Sequence, residues 1–173
     1  MRVTHIAAAA VLGLVLVGAS AATAGSGRGD DARTKLLGYE EVPAISTPGG
    51  GRFEADVKGD AVHYELRYRR LSAPVQQAHI HFGQRSVNGG VSVFLCSNLD
   101  SPPPGTPPCP PSGEVSGTLT AASVIGPGVQ GIAAGELEEL LAAIDAGVAY
   151  VNVHTDAFPN GEIRGQLGED DDD

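Results

Sequence analysis

The chain sets 21 acidic against 11 basic side chains in 173 residues, a net charge of −10. A surface of that sign argues against nucleic-acid backbones and anionic lipid as partners, because both are held by clustered Lys and Arg. The length fits one domain with its own core once a leader is set aside.

Residues 1–24 read as a secretory signal peptide. Arg2 gives the positive start, residues 6–17 carry no charge, and Ala22-Thr23-Ala24 offers the small-x-small cleavage pattern. The apolar run is shorter than the roughly 20 residues that a spanning helix needs, so no membrane span is expected after cleavage. Residues 25–34 are polar and Gly-rich, and are expected to form a flexible lead-in. A single β domain is expected over 35–168. Residues 169–173 are five consecutive carboxylates and read as an acidic, disordered tail.

Inside the domain, short runs alternate apolar and polar residues. Phe53, Ala55 and Val57 alternate with Arg52, Glu54 and Asp56; Lys58-Gly59-Asp60 turns the chain. Val62, Tyr64, Leu66 and Tyr68 then alternate with His63, Glu65, Arg67 and Arg69, which makes a hairpin with one apolar face. Further strands are expected at 77–82, 91–96 and 114–120, with Asn88-Gly89-Gly90 turning between the first two. Leu137, Leu140, Leu141 and Ile144 recur at helical spacing behind Glu136, Glu138 and Glu139, and Gly147 is placed to end the helix. Two strands, at 148–153 and 162–167, complete the series. Many short strands with one crossover helix predict an all-β fold: an immunoglobulin-like antiparallel sandwich or a partly closed barrel.

Cys96 and Cys109 enclose twelve residues, five of them proline. An even count in an exported chain reads as a disulfide, worth roughly 3 kcal/mol for a loop of this size and less if the loop is already stiff.

The histidines carry the chemistry. Strand side chains alternate between faces, so His79 and His81 lie opposite Ala78, Ile80 and Phe82, while His154 shares a face with Tyr150 and Asn152 opposite Val151 and Val153. Two imidazoles two residues apart have Cα atoms about 6.5–7 Å apart and can converge on one ion. A hairpin about residues 155–161 sets Tyr150 across from Gln166, Asn152 from Arg164 and His154 from Glu162. The candidate metal ligands are therefore His79, His81 and His154, with Glu162 as orienter or fourth ligand; neutral nitrogen donors suit zinc, copper and nickel alike. The plainer reading is a set of half-buried histidines bonded to carbonyls. His63 shares its face with Glu65, Arg67 and Arg69 and reads as solvated, and His5 leaves with the signal.

No nucleophile elbow or phosphate-binding glycine motif is present, and no catalytic residue is assigned. Glu40 and Glu41, being adjacent, point to opposite faces of an extended segment and are read as structural.

Three blocks, Leu37-Gly38-Tyr39-Glu40-Glu41-Val42-Pro43, Ala78-His79-Ile80-His81-Phe82-Gly83, and Tyr150-Val151-Asn152-Val153-His154-Thr155 with Gly161-Glu162-Ile163-Arg164-Gly165-Gln166-Leu167, resemble the CHRD domain of chordin-type secreted proteins. The resemblance runs from Leu37 to Leu167. It implies a secreted, immunoglobulin-like module that binds an extracellular protein or surface ligand. The alternative is a metal-dependent enzyme or metal carrier holding one zinc or copper ion on His79, His81 and His154. The His-x-His pair is also similar to ligands of copper/zinc superoxide dismutase. That enzyme needs two metals and a bridging histidine, more than four histidines supply, so no dismutase activity is inferred.

Overall fold

The structure is a computed structural model and describes residues 31–168. The expected signal peptide, most of the lead-in and the acidic tail lie outside the described residues. Eight strands form one sheet: β1 (Asp31–Leu37), β2 (Gly50–Lys58), β3 (Ala61–Arg69), β4 (Val75–Phe82), β5 (Gly90–Ser97), β6 (Gly113–Leu119), β7 (Ala149–Thr155) and β8 (Ile163–Leu167). One helix, α1 (Leu137–Asp145), crosses from β6 to β7. The spatial order is β5-β4-β7-β8-β1-β2-β3-β6, and every pair is antiparallel.

The two outer strands of that order, β5 and β6, come back together, so the sheet curls into a nearly closed barrel rather than a two-sheet sandwich. The seam is held by side chains in place of a ladder. Tyr64 of β3 donates its hydroxyl to the Leu95 carbonyl of β5 at 2.5 Å. The Cys96–Cys109 disulfide ties the end of β5 to the chain entering β6. Beside it the Asn98 amide donates to the Val75 and Cys109 carbonyls and accepts from the Cys109 N–H.

The β2–β3 hairpin forms as the alternation requires, with Phe53 opposite Leu66 and Ala55 opposite Tyr64, and Gly59 takes φ +66° in its turn. These inward residues join Leu36, Ile80, Leu95, Val151, Val153 and Ile163 in one core. Helix α1 packs Leu137, Leu140, Leu141 and Ile144 into that core, the stripe its spacing predicts. Gly147 follows it at φ +69°.

One strand was not expected. Asp31–Thr34, assigned to the lead-in, begins β1 and pairs residue by residue with β2 from Asp31↔Asp56 to Leu37↔Gly50. Its inward positions are Ala32, Thr34 and Leu36, and only the last is a strong strand former with a large apolar side chain. The pattern is therefore weak in isolation, and burial against β2 decides it.

The feature that positions the site is in β7 and β8. Every residue of both is buried, although only alternate ones face the core. The outward residues are covered by loops. Residues 38–49 fold over β8, and the chain between β4 and β5 supplies the Gln84 and Val87 carbonyls to the Arg164 guanidinium. Gln166 donates to the carbonyls of Gly83 and Gly147. The outer face thus carries a second, polar core.

Candidate metal centre

β4 and β7 are neighbours, which parity alone does not establish. His79 pairs across from Asn152, His81 from Tyr150 and Gln77 from His154. All three histidines leave the sheet on the covered outer face, and one nitrogen from each lies within 4.8 Å of the others. Ring centroids are 4.9 Å apart for His79–His154, 5.3 Å for His79–His81 and 6.1 Å for His81–His154. The exposures are 3 %, 7 % and 7 %, so bulk water does not solvate them.

The rings are fixed from behind. His81 stacks on Tyr150 at 4.8 Å and 5°, and the Arg164 guanidinium lies 3.5 Å above that tyrosine ring. Phe94 meets His79 edge-on at 4.3 Å.

Hydrogen bonds then assign the tautomers. A carbonyl can only accept, so His81 donates Nδ1–H to Gly89 and His154 donates Nδ1–H to Pro159, each at 3.0 Å. The neutral His154 ring therefore has its lone pair on Nε2, which accepts from Nδ1–H of His79 at 3.1 Å. In His79 and His81 the lone pair falls on Nε2, and both atoms are buried without a partner. His81 alone combines a backbone carbonyl on Nδ1–H with a bare Nε2, the arrangement that prepares an imidazole for a metal; Nδ1–H of His79 rests on His154, whose Nε2 is free to ligate only once it gives up that bond.

The electrostatics agree. Burial lowers His79 far below the ordinary histidine range, with His154 and His81 adding to the effect. Burial likewise takes His81 down to about 4 and lowers His154. All three are neutral near pH 7, the form that ligates.

Glu162 is not part of this group, and the expectation that it flanks His154 is corrected. The β7–β8 ladder keeps the anticipated register, with Tyr150↔Gln166 and Asn152↔Arg164, but it ends at Val153↔Ile163. Gly161, at φ +125°, turns the chain just before Glu162. The carboxylate then lies with Thr155, on the opposite face from His154. It accepts from Thr155 Oγ1 at 2.8 Å, Thr47 Oγ1 at 2.6 Å, and the Ser72 N–H and hydroxyl at 2.8 and 2.9 Å. Burial pushes its pKa up, but these bonds outweigh it and the pKa lies below the usual carboxylate value. Glu162 pins residues 47 and 72 to the barrel.

Glu41, read as a structural acid from the sequence, sits at the site instead. A 3-10 turn at Gly38–Glu40 ends in Glu41, whose N–H closes onto the Gly38 carbonyl. Its side chain is 6 % exposed and points toward Gly161, where an added Cβ would meet Oε1. Burial raises its pKa to about 7, against the opposing pull of the Arg164 charge, the Val42 backbone and the Asn152 amide. No periodic pattern runs through a turn of this kind; the sequence signal for Glu41 was its place in the 37–43 block. His63 is exposed and meets Thr118 Oγ1, as expected of a solvated strand residue.

A family model of the CHRD domain matches residues 32–167. No curated protein and no solved structure matches the chain. The matched region takes in the Glu41 turn, both histidine strands and the disulfide, and the chain belongs to the CHRD domain family.

Proposed function

We propose that this chain is an extracellular binding module whose outer-face pocket holds one transition-metal ion, zinc or copper, on His79, His81 and His154. One observation carries the reading: three neutral imidazoles converge within 4.8 Å while Nε2 of two of them is buried with no donor. A purely structural cluster leaves those atoms unpaired, at about 1–3 kcal/mol each. An ion with nitrogen ligands near 2.0–2.1 Å removes that cost, and its bond to His154 Nε2 replaces the hydrogen bond from His79. Three imidazoles with no thiolate suit zinc or copper. The signal-like first 24 residues, the disulfide and the family support an address outside the cell, where the module would meet a protein or surface ligand.

The test is elemental analysis and titration of protein purified without an affinity tag. One equivalent of zinc or copper should bind, and His81→Ala should abolish uptake while the far-ultraviolet spectrum stays that of a β protein. Absence of any bound ion in the wild type, at micromolar metal, would refute the reading.

A further inference from the structure

Metal ligation accounts for two of the buried unpartnered nitrogens, yet two more orphan acceptors border the same space. Glu41 Oε1 and Asn152 Oδ1 are both buried without a hydrogen-bond partner. Asn152 stands across β4 from His79 and across β8 from Arg164. Its amide acts on both neighbours, lowering the Glu41 pKa and raising that of His81, but without the geometry of a hydrogen bond to Oε1 of Glu41 or Nε2 of His81. With the tautomers set by the Gly89 and Pro159 carbonyls, Nε2 of His79, Nε2 of His81 and Oδ1 of Asn152 are all acceptors, as is Oε1 of Glu41 in its ionised form. None of these four buried atoms meets a donor.

Once Nε2 of His154 gives up the Nδ1–H of His79, three imidazoles fill three places around a tetrahedral ion. Among the described residues the cluster contains no fourth His, Cys, Asp or Glu within the same reach. A closed structural centre takes all four ligands from side chains, whereas a centre with three protein ligands keeps a place for solvent or substrate. An ion satisfies the two nitrogens but not the oxygens of Glu41 and Asn152, which need hydrogen atoms.

Resting on the metal reading above, we propose that the fourth position is open and takes an exchangeable water, whose two O–H groups donate to Glu41 Oε1 and Asn152 Oδ1. The metal-bound oxygen and these two acceptors then satisfy one another. The low exposure of all three histidines limits the occupant to something little larger than water. Glu41 and Asn152 are positioning residues: they act on the bound ligand, and the histidines hold the ion.

The experiment uses the secreted protein loaded with copper(II) and exchanged into ¹⁷O-enriched water. Electron–nuclear double resonance should show a directly coordinated ¹⁷O nucleus in the wild type. Relaxation of solvent ¹⁷O, normalised to each bound copper ion, reports how fast that ligand exchanges. Glu41→Gln and Asn152→Ala should each speed exchange about fivefold or more, the effect of weakening one buried hydrogen bond. Copper bound at one equivalent with no ¹⁷O coupling would overturn this proposal and leave the metal reading standing. Unchanged exchange in both variants would overturn the roles of Glu41 and Asn152. Failure to take up copper at all would remove the metal reading first. If neither variant folds, the wild-type ¹⁷O coupling decides whether the position is open.

Discussion

Acid should unfold the metal-free domain through its histidines. In the fold, burial holds His81 near 4 and keeps His79 and His154 below their ordinary value of 6.5. The unfolded chain returns all three to about 6.5 and binds more protons than the native state, so stability falls as pH drops below that value. The share of His81 is used up only near pH 4. Glu41 has the opposite sign. Its folded pKa of about 7 stands above the model value of 4.5, so its contribution is complete below 4.5 and is lost as pH rises through 7. Each group changes stability by about 1.4 kcal/mol per pH unit inside its window. His79 and His81 against one carboxylate leave a net loss of about 1.4 kcal/mol per pH unit between 6 and 4.5, and His154 adds to it in the same direction. Coupling among the rings reduces that figure. Glu162 does not enter this interval, because its folded pKa is lowered and its contribution is lost only below 4.5. A small domain has roughly 5–15 kcal/mol in all, so these one and a half units remove a measurable part of it. The assay is urea unfolding with chelator present, in half-unit pH steps, followed by circular dichroism because the chain has no tryptophan. His81→Gln should reduce the slope by about 1.4 kcal/mol per pH unit. A stability that is flat or rising from pH 6.5 down to 4.5 would refute the assignment of buried, neutral imidazoles.

Three further outcomes follow from the same structure. Zinc at a hundredfold excess over its dissociation constant should stabilise the wild type by about 2.7 kcal/mol in urea at pH 7.5 and leave His81→Ala unmoved. Glu162→Ala should lower stability by about 3 kcal/mol or more, through four lost hydrogen bonds, yet keep stoichiometric metal uptake in calorimetric titration; loss of uptake at full folding would return Glu162 to the site. Reducing Cys96–Cys109 should cost at most about 3 kcal/mol, measured as the shift in urea midpoint with and without dithiothreitol, because five prolines already stiffen the enclosed loop.

The barrel was legible where local alternation and burial coincide. Phe53, Ala55, Tyr64 and Leu66 declare a hairpin because an apolar residue at every second position has only one dry place to go. β1 was not legible, since Ala32 and Thr34 are small and its identity as a strand comes from a partner some twenty residues away. Nor does alternation fix how a sheet closes. The Tyr64–Leu95 bond joins strands that are not neighbours in sequence, whereas the disulfide closes a short loop after β5, and only the second announces itself through residue type.

The site shows the same division more sharply. Face parity put His79, His81 and His154 opposite the core, and the register of the last hairpin placed Tyr150, Asn152, Arg164 and Gln166 with His154. Parity ordinarily assigns such residues to solvent. Here it assigns them to a second interior, because the loops after β1 and β4 close over the outer face and leave β7 and β8 dry on both sides. That inversion decides the chemistry. The same imidazoles in water would titrate near 6.5 and compete with protons for any ion; under the loops they are neutral, and Nε2 of His79 and His81 is left bare. It also explains the two carboxylates whose roles exchanged. Glu162 reads as a site residue by strand arithmetic, but the turn at Gly161 breaks the alternation one residue too early and delivers it to Thr155, Thr47 and Ser72. Glu41 belongs to no strand, so no periodicity points to it, and the covering loop carries it in beside Asn152. In this fold the strands supply the imidazoles, and the loops set whether they meet water.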